Sequence, residues 1–62
     1  MEKWTGELVG QMHLNRVTVQ QLAEELEFSK GYVSMILNGK RSPPDAEKKL
    51  KDAFKSIVAK RG

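Results

Sequence analysis

Two helix starts of nearly the same design constrain this chain more than anything else in it, because only Glu27 and Phe28 lie between the end of the first helix and the cap of the second. At the first start, Thr18 is the N-cap candidate and Gln21 stands three residues on. That is the spacing of a capping box, in which each side chain satisfies a backbone N–H that the helix end leaves open. Val17 before the cap and Leu22 after it form a hydrophobic staple. At the second start, Ser29 is the cap and Phe28 staples to Val33. Leu22, Ala23 and Leu26 form the inward stripe of the first helix, and Val33, Ile36 and Leu37 that of the second. So short a connection forces the helices to cross steeply, which is the geometry of a helix-turn-helix. Asn38-Gly39 ends the second helix, with Gly39 suited to the left-handed conformation that closes helix C-termini.

Helical spacing continues on both sides. A first helix is predicted over about Glu2 to Asn15, with Trp4, Leu8 and Met12 on one face and Val9 widening the stripe. Gly6 and Gly10, four apart, each weaken it by about 1 kcal/mol relative to alanine; they are read as places where another helix comes close. Pro43-Pro44 halts anything earlier, and a last helix is predicted from about Asp45 to Lys60. Ala46, Leu50, Ala53, Phe54, Ile57 and Val58 form its stripe, and Glu47–Lys51 and Lys48–Asp52 are surface pairs. Trp4 and Phe54 are read as core residues. No stretch alternates with period two. The expected fold is all-α: a single domain over 1–62, with a compact bundle of four helices and five at most, and the helix-turn-helix at about 18–38.

A chain of 62 residues with no cysteine has neither disulfides nor thiolate metal sites to stabilise it. Domains of this size bury only about 60% of the surface their unfolded chains expose, so one compact core must suffice. The absence of cysteine fits a reducing cytoplasm. No apolar h-region of a signal peptide is seen near the N-terminus, and the longest apolar run, Met35-Ile36-Leu37, is far short of the roughly 20 residues of a membrane span. No phosphate-binding glycine loop, zinc-protease motif or carboxylate pair is present, since the adjacent Glu24 and Glu25 diverge on a helix. His13, the one histidine, stands apart from any partner for catalysis or metal binding. An enzyme is not expected, nor a metal or cofactor.

The net charge is +3, and its distribution says more than its size. Residues 18–28 carry Glu24, Glu25 and Glu27 and no base. Residues 29–41 carry Lys30, Lys40 and Arg41 and no acid, and the chain stays basic to its end. Such asymmetry suits a half that faces a polyanion.

The span Val19 to Ile36, Val-Gln-Gln-Leu-Ala-Glu-Glu-Leu-Glu-Phe-Ser-Lys-Gly-Tyr-Val-Ser-Met-Ile, resembles the helix-turn-helix of phage repressor and Cro type regulators, the Xre family. Leu22, Ala23, Leu26, Phe28, Val33 and Ile36 sit where that family places core residues, and the small Ala23 lets the second helix of the motif approach the first. Asn38-Gly39-Lys40-Arg41 is similar to the family's Asn-Gly-Lys ending. The chain departs from the pattern in having Glu27 where a turn glycine is frequent, Val19 where a phosphate-binding glutamine is common, and one long final helix where a fifth often follows.

The resemblance implies a lambda-repressor-like domain that places the helix Lys30–Asn38 in the major groove of double-stranded DNA. Ser29, Lys30, Gly31, Tyr32, Ser34 and Met35 would lie on or near the groove face. Lys30 would donate to guanine O6 and N7, Ser34 would donate or accept, Met35 would pack on a thymine methyl, and Tyr32 would reach a base or a phosphate. Gly31 offers no side chain to a base. Asn38, Lys40 and Arg41 would touch phosphates, with Gln20 supplying the contact that Val19 lacks. The function implied is a sequence-specific transcriptional regulator of phage, prophage or bacterial origin, cytoplasmic and associated with the nucleoid. It would bind as a homodimer to half-sites about 34 Å apart, with the Asn38–Pro44 loop and the last helix as the expected dimer surfaces. Two other readings stay open. One is a small helix-turn-helix module that binds a repressor protein rather than DNA, through the acidic Glu24, Glu25 and Glu27 or an apolar Tyr32–Met35 patch. The other is a domain of a larger regulator.

Overall fold

The computed structural model describes residues 3–61. Four α-helices follow one another: α1 (Lys3–Leu14), α2 (Val19–Leu26), α3 (Lys30–Leu37) and α4 (Ala46–Lys60). No strand occurs among the described residues, so the all-α class expected from the apolar spacing is the one observed. The expected start of the first helix at Glu2 lies outside the described residues. Its other end comes at Leu14, one residue early. The described chain runs only one residue beyond α4 and holds no fifth helix.

Local chemistry sets the helix ends. Thr18 Oγ1 accepts from the Gln21 N–H at 3.1 Å while Gln21 Oε1 accepts from the Thr18 N–H at 2.8 Å, which completes the capping box at α2. Ser29 Oγ accepts from the Tyr32 N–H at 3.1 Å and caps α3. Between them the chain turns on Glu27, which takes the left-handed conformation (φ 59°). That lets the Phe28 N–H return to the Ala23 carbonyl at 2.9 Å. A side chain other than glycine tolerates this conformation at some cost; here it is the means by which α2 stops and α3 begins four residues later. Gly39 makes the corresponding turn after α3, with φ 78° and the Lys40 N–H on the Met35 carbonyl at 2.9 Å. Asp45 begins α4 without a side-chain cap and pairs instead with Lys49 at 3.2 Å.

The core draws on every helix. Leu22, Val33 and Leu50 are wholly buried, with Leu8, Met12, Val17, Ile36 and Leu37 around them. The buried small residues Ala23, Ala46 and Ala53 let α4 and the α2–α3 pair come together. Trp4, Leu26, Phe28, Tyr32, Phe54, Ile57 and Val58 form a half-buried rim against this core.

Two readings of α1 are corrected. Val9 does not widen the buried stripe but is 42% exposed, while Thr5 is buried at 1%. At 100° per residue Val9 lies a quarter turn past Leu8, whereas Thr5 sits one turn before it on the side shared with Met12. Nor do Gly6 and Gly10 admit a neighbouring helix of this molecule: a Cβ built on either meets nothing within 4 Å.

The far end of α4 is tied back to the motif. Glu25, on α2, accepts from Lys60 Nζ at 2.9 Å and from Ser56 Oγ at 3.0 Å. The Arg61 guanidinium donates to the carbonyls of Asn15 and Arg16, where Arg16 takes a left-handed turn (φ 56°) after α1. The Lys60 ammonium, then the Ser56 hydroxyl, hold the Glu25 carboxyl below its ordinary range against an opposing desolvation. A carboxylate with a depressed folded value stabilises the fold above its unfolded value, and that contribution is lost as pH falls through the folded one. Glu25→Gln is therefore expected to melt below the parent at neutral pH, with the two melting temperatures converging in acid. A gap that stays constant across a pH series of melting curves would mean that the charge is not what matters.

Candidate nucleic-acid interface

Because α3 buries Val33, Ile36 and Leu37, its opposite side is set by helical geometry: Gly31, Met35 and Asn38 form the outward stripe, one turn apart. Ser29, Lys30, Gly31 and Asn38 are exposed, as are Gly39, Lys40 and Arg41 of the following turn. Tyr32, Ser34 and Met35 are half-buried. Gln20 is exposed at the start of α2, with its amide 3.4 Å from Glu24. The sequence-predicted residues thus gather along α3 and the turn after it, with Gln20 on the neighbouring helix.

Individual side chains are held differently. The Ser29 oxygen accepts from Tyr32, so its hydroxyl proton stays available to a phosphate. The Tyr32 ring meets Phe28 edge to face, with centroids 5.2 Å apart, and Lys49 of α4 lies over the Phe28 ring at 5.8 Å. Tyr32 is therefore anchored on its Phe28 side. Asn38 Nδ2 donates to the Ser34 carbonyl at 2.8 Å and to Ser34 Oγ at 3.2 Å. The amide nitrogen is thus turned back along α3 onto Ser34, and what remains is an acceptor, which a phosphate oxygen repels. Contact from Asn38 to a phosphate requires the amide to release Ser34. Polar partners four residues apart on a helix were the available signal for this lock.

The charges sort by position. On α4, Lys48, Lys49 and Lys51 pair with Asp52, Asp45 and Glu47, and Lys60 pairs with Glu25. The three cations around α3, namely Lys30, Lys40 and Arg41, have no carboxylate partner among the described residues. Uncompensated positive charge therefore brackets the exposed side of α3, at its first turn and just past its end. The first turn of α3 carries no acidic residue to offset the partial positive charge of the helix N-terminus. Of the acidic residues before the motif turn, Glu25 is neutralised at α4, and Glu24 lines a surface depression with Lys60 and Arg61 on that same side.

Elsewhere the side chains do not converge on a reactive centre. Among the described residues no three His, Asp or Glu side chains gather as metal ligands would, and no helix is long and apolar enough to cross a membrane. No protein family, curated protein or solved structure matches this chain.

Proposed function

We propose that this chain is a sequence-specific DNA-binding regulator that sets α3 into the major groove and acts as a homodimer on a two-fold site. The observation that carries the reading is the placement of unpaired cations. Among the described residues, Lys30 at the start of α3 and Lys40 and Arg41 after its end are free of carboxylates and gather around one exposed face, whereas four lysines of α4 are paired and Lys55 alone of that helix's lysines is not. Phosphates on either side of the groove would be met by Lys40, Arg41, the Ser29 hydroxyl and Gln20, while Lys30 and Met35 approach base edges. The resemblance to phage repressor and Cro type regulators supports the same reading and a phage, prophage or bacterial setting.

A second reading rests on a different observation. The middle of the outward stripe is Gly31 and Met35, one without a side chain and the other apolar, which offers few donors to bases and suits a protein partner. Selection from a randomised duplex pool at two salt concentrations separates the readings. An enriched inverted repeat whose binding falls steeply with salt is expected. No enrichment and no salt dependence would overturn the DNA reading and leave the protein-binding one.

A further inference from the structure

We infer that the outer face of α1, with the groove between α1 and α4, is where a second copy of this chain docks, by antiparallel packing of α1 on α1 about a two-fold axis near Gly10. The inference deepens the dimeric reading above and rests on it for the choice of a second copy as the occupant. It replaces the Asn38–Pro44 loop as the expected dimer surface.

Four observations lead there. The exposed large hydrophobic residues, Leu14 at 80% and Val9 at 42%, both belong to α1. Gly6 and Gly10 lie on the same outward side, and inside one molecule nothing approaches either of them. Each lowers helix stability by about 1 kcal/mol relative to alanine, and no contact within the molecule explains either. Third, Gly6, Gly10 and Leu14 are spaced one turn apart, so a two-fold axis at Gly10 lays Leu14 of each copy over Gly6 of the other. The knob and the notch belong to one stripe, as an isologous interface demands.

The fourth observation is charge. A groove of about 560 Å³ runs along this face, floored by Leu8 and Phe54, with Glu7 on its α1 wall and Lys55 on its α4 wall. Neither Glu7 nor Lys55 has an ion-pair partner among the described residues. A two-fold axis between antiparallel helices brings like flanks together, so Glu7 of each copy meets Lys55 of the other. The opposite flank of α1, at Gly6 and Val9, borders Ser34, Leu37 and Asn38 of α3. The same axis therefore puts both α3 helices on one side of the dimer, which a two-fold DNA site requires.

Sedimentation equilibrium of the full chain without DNA tests this apart from the DNA reading, since the oligomeric state is measured whether or not the protein binds a duplex. A reversible dimer is expected in the micromolar range, consistent with a contact at the small end of specific interfaces. Glu7→Lys and Lys55→Glu should each weaken it at least tenfold, and the two together should restore it. Leu14→Glu, at an exposed position that leaves the circular dichroism unchanged, should give a monomer. A monomer at several hundred micromolar would overturn the proposal. So would a dimer indifferent to Leu14→Glu, or a double charge swap no better than the single ones.

Discussion

Ala23→Leu is expected to unfold the domain or destabilise it severely. Ala23 is 3% exposed on the inward side of α2, and its carbonyl already accepts the Phe28 N–H that closes the turn into α3. Three further heavy atoms at that point must push into the wholly buried core around Leu22 and Val33 or separate α2 from the rest. Overpacking of a tight core typically destabilises by about 1–3 kcal/mol, and by more where the backbone is pinned. A domain of this length has only about 3–9 kcal/mol in all, less at physiological temperature than at its maximum. The check is urea unfolding followed at 222 nm, with Ala59→Leu on the exposed side of α4 as the control that should change little. Equal stability of the two variants would show that α2 and its neighbours do not approach closely at Ala23.

Replacing Lys40 and Arg41 together by alanine is the substitution expected to weaken DNA binding most. Each phosphate contact contributes about 0.9 to the slope of log affinity against log salt, so the pair should lower the slope by about 2 per bound subunit and about 4 for a dimer. At 0.1 M salt the same relation implies a loss of roughly three orders of magnitude or more, shared by cognate and random sequences alike. Lys30→Ala should behave differently. Its loss, about 1–3 kcal/mol, should appear as a relaxed preference at one base pair of each half-site, with little change in discrimination elsewhere. Fluorescence titrations of enriched and scrambled duplexes at several salt concentrations distinguish these patterns. An unchanged salt slope in the double variant would remove the turn after α3 from the interface.

The features legible in the chain were those written within one or two helical turns. The Thr18–Gln21 box, the Ser29 cap, the left-handed Gly39 and the stripes of α2, α3 and α4 all depend on neighbours three or four residues away, and the structure has them where the spacing put them. One misreading on α1 has a clear cause. Val9 was assigned inward on hydrophobicity, but the rotation that buries Leu8 and Met12 together carries Thr5 in with them and turns Val9 away. Hydrophobicity could not reveal that rotation on a helix whose glycines blur its pattern. The glycines themselves were placed at a helix crossing that does not exist within one copy. Long-range polar partners, such as Glu25 with Ser56 and Lys60 or Arg61 with the turn after α1, leave no local signal at all. For the candidate interface, the outward stripe of α3 followed from helical spacing; that the Asn38 amide nitrogen lies against Ser34 did not.

The ties at the end of α4 bear on how the domain opens. A terminal helical turn normally frays independently of the rest. Here that turn holds Glu25 of α2 through Ser56 and Lys60, while Arg61 just beyond it holds the carbonyls after α1. Releasing it therefore breaks the ties to α2 and to the turn after α1 in the same event. The two ends of the described chain are thus tied into one unit through α2, Asn15 and Arg16.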